Sequence, residues 1–275
     1  MNILVLNIAT LVAIGLGAGF LGSLSGLGGA SIITPILVGL GVPVKTAIAN
    51  SVVTIVATSA GSSASYLRDH YTNIRAAMYL ELFTIMGGII GASIAVLVPS
   101  WILYFFFAFF LLASLLIREK IKPKEEGSMD KLTAILKIHG RYWENGRLRE
   151  YGGRNTAIGG PLMIIAGLAA GALGIGAGAF KTAIMEGVIG LPVKVSTATS
   201  NFIIGMTGLA AATVYVKTGL VDPFIVGPLI LGTSIGSIIG SRILGKISDK
   251  KAKMVSVALT LYIILQMLVK GAQAI

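Results

Sequence analysis

The sequence has no cysteine, only two histidines and few charges. Without cysteine there can be no disulfide, no thiol chemistry and no cysteine-bound metal, and the redox compartment stays undetermined. His70 and His139 are far apart, and neither has a carboxylate or second histidine at metal-ligand spacing. No metal site and no cofactor is therefore expected. Charged residues make up 12% of the chain, about half the roughly 25% of a soluble domain. Most of the chain thus has no water-facing surface to cover. Alternating apolar and polar stretches are missing as well, which argues against a β-barrel. No HExxH and no nucleophile–base pair is present, so an intramembrane enzyme is the weakest reading. GLGGAS, Gly26 to Ser31, superficially resembles a phosphate loop, but it lacks the Lys-Ser/Thr ending of an ATPase motif.

Hydrophobic residues supply 55% of the 275 positions, and the mean hydropathy is +0.89. Several apolar runs approach or exceed the roughly 20 residues that cross a bilayer core. These features predict an all-α polytopic membrane protein. The net charge of +11 sits in loops, where the positive-inside rule explains it without nucleic acid. The first residues lack a basic leader and read as a membrane helix, not a cleaved signal peptide.

A glycine-broken apolar stretch occurs twice. The first copy is GFLGSLSGLGGASIITPILVGLGVPVKTAIANS, Gly19 to Ser51; the second spans Gly167 to Asn201. Pro43-Val44-Lys45, Ser51, Tyr66, Gly87 and Gly91 reappear as Pro192-Val193-Lys194, Ser200, Tyr215, Gly236 and Gly240, all at an offset of 149. Gly26-Leu27-Gly28 reappears as Gly174-Ile175-Gly176 at 148, so the second copy holds one inserted residue. Ten segments follow: 3–24, 30–41, 46–67, 76–98 and 101–117, then 157–173, 179–191, 195–216, 223–244 and 253–269. Segment 2, about 12 residues, is as a helix only about 18 Å long, too short to cross upright. The expected division is a membrane repeat over 1–117, a hydrophilic linker over 118–155 and a second repeat over 156–275.

The linker holds ten Lys/Arg and six Asp/Glu between Arg118 and Arg154. Asn145-Gly146 predicts a hairpin turn, after a short amphipathic helix over Met129 to Ile138. If all five segments of a repeat cross, the second copy is inverted. A cytoplasmic linker then shares its side with Arg68, Arg75, Lys194 and the Lys246 to Lys253 cluster. Lys45, Lys217 and Lys270 fall opposite. Re-entrant segments 2 and 7 would make the repeats parallel and spoil this pattern. Two inverted repeats, with short, broken helices 2 and 7 and both termini outside, are expected in the cell membrane.

The glycine clusters can serve close helix packing. They can also break helices and free backbone N–H groups at half-helix N-termini, which attract anions. Gly28 and Gly29, followed by a helix too short to span, favour the second reading, and Gly176 and Gly178 repeat it. Ser25, Asn50, Ser51, Thr199, Ser200 and Asn201 are either caps and interhelical bonds or neutral donors lining a site. Lys181 either attracts an anion or snorkels or pairs. Arg242 is expected to snorkel; Glu81 either does likewise or, as Glu186 could, serves proton coupling, which spacing alone does not support. Segment 5, rich in Phe and Leu, is expected to face lipid.

At these motifs the sequence resembles the TauE/SafE family of membrane transporters. The glycine motif GSxxGLGGxxxxxP, the short helix ending in a glycine–proline turn, and the Asn50-Ser51 and Thr199-Ser200 elements carry the resemblance. It implies export of sulfite, sulfonates such as sulfoacetate, or related sulfur-containing anions. The expected partners are a small anionic substrate and the lipid bilayer, with a homo-oligomer left open. The competing reading is an anion channel, or a non-transporting anchor acting through the linker.

Overall fold

The structure is a computed structural model that describes residues 7–26, 28–120, 130–144, 147–244 and 249–274. Chain punctuation sets the helix limits. Helix α1, Ile8–Ser25, starts where the Asn7 side chain accepts the amide of Thr10 at 2.7 Å, and stops at Gly26. Helix α2, Ala30–Gly39, is ten residues long. Pro43 opens α3, Val44–Arg68. Asn73 caps α4, Ile74–Leu97, and α5 follows over Ser100–Lys120. After the linker come α7, Thr156–Leu173, and the seven-residue α8, Gly178–Ile184. A π-helical turn over Met185–Ile189 prolongs α8. Pro192 opens α9, Val193–Lys217, which α10, Pro223–Leu244, and α11, Asp249–Gln273, follow.

Six described helices are long and apolar enough to cross a membrane: α1, α3, α4, α7, α9 and α10. The chain is an all-α polytopic membrane protein. Its outer faces carry large exposed hydrophobics, such as Met78, Leu82, Met86, Ile90 and Leu97 on α4, suited to lipid. Its interior is built from small and hydroxyl residues, among them Thr54, Thr58, Ser62, Thr84 and Thr207, all buried. The expected lipid-facing α5 has two faces. Trp101, Phe109 and Leu116 are exposed, while Phe107 and Leu111 are buried and the Phe110 ring lies 4.9 Å from that of Phe180 on α8.

The internal duplication recurs in the packing. Helix α1 packs on α10, and α4 on α7. A methyl at Gly87 would overlap the carbonyl oxygen of Ile164; one at Gly236 would overlap that of Leu16. These crossings need glycine because backbone meets backbone. Tyr66 donates its hydroxyl to the carbonyl of Ser23 at 2.8 Å, and Tyr215 to that of Gly171 at 2.6 Å. Helices α3 and α9 pack antiparallel. Asn50, early in α3, accepts the amide of Asp222 beyond the end of α9 at 2.8 Å. Thr199, early in α9, accepts the amide of Asn73 beyond the end of α3 at 3.0 Å.

The linker forms a short helix and a hairpin. Only Lys131–Ile135 (α6) is helical within the stretch expected to run from Met129 to Ile138; Met129 lies outside the described residues. Strands β1, His139–Glu144, and β2, Arg147–Gly152, pair antiparallel, with Glu144 opposite Arg147. The Asn145-Gly146 turn and Lys246 also lie outside the described residues. The hairpin docks on one end of the bundle. Tyr71 donates to the Trp143 carbonyl at 3.2 Å, Asn73 Nδ2 to the Tyr151 hydroxyl at 3.2 Å, and the Arg154 amide to the Ile189 carbonyl at 2.8 Å.

Candidate functional site

Two helix breaks lie at equivalent places in the two repeats. The first leaves α1 through Gly26 (φ +70°) and Gly28 (φ +78°) and enters α2. The second leaves α7 through Gly174 (φ +65°) and Gly176 (φ +66°) and enters α8. The inserted residue is Ala177, held left-handed at φ +48°, a conformation that costs a side-chain-bearing residue about 1–3 kcal/mol. The breaks meet at the repeat-related isoleucines Ile55 and Ile204, which cluster with Ala30. A Cβ at Gly28 would stand 3.5 Å from Ile204 Cδ1 and 3.9 Å from the Ile175 carbonyl. One at Gly176 would stand 3.0 Å from Ile204 Cγ2 and 3.2 Å from Ile55 Cδ1.

Polar groups surround the tips. Ser200 Oγ lies 3.5 Å from both the Gly26 and Gly178 carbonyl oxygens, reaching across from one break to the other. Asn201 Nδ2 donates to the Ser23 carbonyl at 3.3 Å, and its own carbonyl accepts Ser59 Oγ at 2.6 Å. Ser25 donates to the Leu21 carbonyl at 2.8 Å. Thr58 Oγ1 is 3.1 Å from where a Gly29 Cβ would sit. Ser51, the repeat partner of Ser200, is fully buried, and its hydroxyl has no hydrogen-bond partner. A crevice lined by Ser31, Phe110, Ile175, Ala177, Gly178 and Phe180 leaves about 10 Å³ of room, at the lower limit for one water molecule.

Asn50 and Thr199 are engaged elsewhere. Each accepts the backbone amide that precedes α10 or α4, as described above, and Asn50 Nδ2 also donates to the Thr46 carbonyl at 2.8 Å. Lys181 is fully buried beside the second tip and donates to Thr207 Oγ1 at 3.1 Å. Thr207 in turn donates to Thr84 Oγ1 at 3.0 Å. Glu81 does not snorkel. It is 4% exposed, and one of its carboxylate oxygens is buried without a hydrogen-bond partner. The cause is helical phase: Met78, Leu82 and Met86 form the lipid row of α4, whereas Ala77, Glu81, Thr84 and Gly88 form the buried row. Arg242 is exposed, in keeping with a charge at a helix end.

Thr84, Thr207, Ile55 and Ile204 were not singled out from the sequence. The 3–4 spacing of Ala77, Glu81, Thr84 and Gly88 was the signal that could have found the first, and the 149-residue offset between Ile55 and Ile204 the signal for the last two.

The family model described as sulfite exporter TauE/SafE matches residues 11–267. A Bacillus subtilis (strain 168) protein named probable membrane transporter protein YunE is 24% identical over 97% of this chain and 99% of its own length. A second from that organism, named probable membrane transporter protein YdhB, is 24% identical over 86% of this chain and 89% of its own. Their names describe membrane transporters, not enzymes. No solved structure matches this chain.

Proposed function

The chain belongs to the TauE/SafE family, and from that premise we propose that this membrane transporter is a secondary carrier of small sulfur-containing anions, sulfite or organosulfonates. The observation that carries the reading is the meeting of two glycine breaks at Ile55 and Ile204, one from each repeat. Half-helix starts of this kind present backbone N–H groups to an anion near the bilayer midplane. The anion would bind between Gly28 and Gly29 on one side and Gly176 and Gly178 on the other. Ser25, Ser51, Ser200 and Asn201 supply neutral donors, Lys181 supplies charge, and Asn50 and Thr199 brace the helices that carry them.

The two repeats, 1–117 and 156–275, are inverted in this reading, with the 118–155 linker and its hairpin in the cytoplasm. Antiparallel packing of the equivalent helices α3 and α9 supports inversion. Rocking of one repeat against the other would part Ile55 from Ile204 and expose the tips to each side in turn. The test is flux of labelled sulfite, sulfoacetate and thiosulfate into proteoliposomes. Saturable flux that survives deletion of Arg118 to Arg154 is expected. Absence of flux for all three anions overturns the substrate assignment, and non-saturable flux favours a channel.

A further inference from the structure

Glu81 and Lys181 are not needed by the architecture around them. The repeat-related positions are neutral: Ile230 replaces Glu81, and Ile32 or Ile33 replaces Lys181. The hydroxyl scaffold is nevertheless the same in both copies. Thr84 donates to the Glu81 carbonyl at 3.1 Å, and Thr233 to the Ile230 carbonyl at 3.2 Å. The Thr207 hydroxyl also lies 3.0 Å from the Ile203 carbonyl, and Thr58 donates to the Thr54 carbonyl at 3.3 Å. The α3–α10 contact therefore holds these hydroxyls without charges. Two buried charges beside the equivalent α4–α9 contact are costly to keep, which points to a functional use.

The surroundings limit what that use can be. Helix α7 brings no ionisable residue to Glu81. Those of α9, Lys194, Tyr215 and Lys217, stand near its ends, with Tyr215 bound to Gly171. On α4 itself, Tyr79 packs edge-on against Phe83. Glu186 lies in the π turn beyond α8. Lys181, fully buried on α8, is the ionisable side chain that the hydroxyl chain links to α4. It reaches toward α4 through Thr207 and Thr84 without direct contact between the two charges.

We propose that Glu81 and Lys181 form a proton-coupling site, in which a proton taken up by Glu81 releases Lys181 to balance the bound anion. The inference rests on the anion-carrier reading above. Charge balance gives the stoichiometry. The empty site holds Glu81 carboxylate and Lys181 ammonium, which sum to zero. The loaded site holds protonated Glu81, Lys181 ammonium and a monovalent anion, which also sum to zero. The proton comes from bulk water, adds to a Glu81 carboxylate oxygen and leaves by the same bond. A site that stays neutral avoids carrying net charge through low dielectric. One anion then moves with one proton, in the same direction.

The test uses the full-length protein in proteoliposomes and isethionate, a sulfonate that stays singly charged and cannot leak as a neutral acid. An inward acid gradient of one pH unit is expected to drive about tenfold accumulation, insensitive to membrane potential. Glu81→Gln is expected to abolish that accumulation while keeping isethionate counterflow. Wild-type counterflow with no response to the pH gradient overturns the proposal, as does gradient-driven accumulation that persists in E81Q. Failure of wild-type counterflow counts against the carrier reading for this anion. In that event the infrared carboxylic-acid stretch decides. A band that titrates in wild-type membranes and is missing from E81Q upholds the proton site; no such band refutes it.

Discussion

Gly28 and Gly176 hold left-handed backbone at equivalent tips, and each faces an isoleucine. Valine at either position adds about 1–2 kcal/mol of backbone strain and pushes a branched side chain against Ile204. Both Gly28→Val and Gly176→Val are expected to insert normally and to lose flux to a similar degree, measured as transport per inserted protein. If only one of the two matters, the shared site is wrong. Ser51→Ala removes a buried hydroxyl with no hydrogen-bond partner. Since such a group costs about 1–3 kcal/mol, stability is expected to be unchanged or raised, while the anion-induced rise in melting temperature shrinks. An unchanged anion response would remove Ser51 from the site. Tyr66→Phe and Tyr215→Phe each lose a buried hydrogen bond, at about 0.5–1.5 kcal/mol. Ser23 keeps a donor in Asn201 when Tyr66 is changed, so thermal unfolding in detergent is expected to show Tyr215→Phe as at least as costly.

At this scale the sequence was only partly legible. Glycines, prolines and repeated polar pairs announced the breaks because each acts locally on the backbone. Which polar atoms face the tips depends on helix phase and on partners far along the chain. Asn50 and Thr199 look like their neighbours Ser51 and Ser200 in sequence, yet their polar atoms serve Asp222 and Asn73. The burial of Glu81 follows from helical phase as well, since it shares the inward row of Ala77, Thr84 and Gly88.

Among elements, the long helices were the most legible, because their apolar length exceeds any competing structure. The broken ones were recognised as short, although α8 ends in a π turn that no residue pattern announced. The hairpin strands formed as expected. Where they dock could not be read, because docking depends on Tyr71 and Asn73, over sixty residues upstream. Asn73 ties three parts together: its amide meets Thr199, its side-chain oxygen caps α4 at Ala76, and its side-chain nitrogen meets Tyr151. Burial pushes the Tyr151 phenol above its ordinary range, so it keeps its proton at physiological pH. Tyr151→Ala is expected to free the hairpin without unfolding the membrane helices. Limited proteolysis should then cut within residues 139–152 at least several-fold faster than in wild type, with an unchanged melting temperature for the rest. Equal cutting rates would mean that Asn73 and Tyr151 do not hold the hairpin.

For the whole molecule, the duplication gives the fold its logic. Each repeat buries its first helix against the fourth helix of the other, α1 on α10 and α7 on α4. Neither repeat is complete alone, and the breaks come together where the repeats interlock. The hairpin lies between the repeats, and Glu81 in one repeat and Lys181 in the other both stand where the repeat-related positions are neutral. The absence of cysteine gives the transport claim a clean test. Ile55→Cys and Ile204→Cys place the only two thiols of the protein where the breaks meet. The deciding measurement is labelled isethionate flux through this double variant in proteoliposomes, before oxidation, after it, and after reduction. The account predicts saturable flux that oxidation abolishes and reduction restores. Flux that continues through fully cross-linked protein would contradict it.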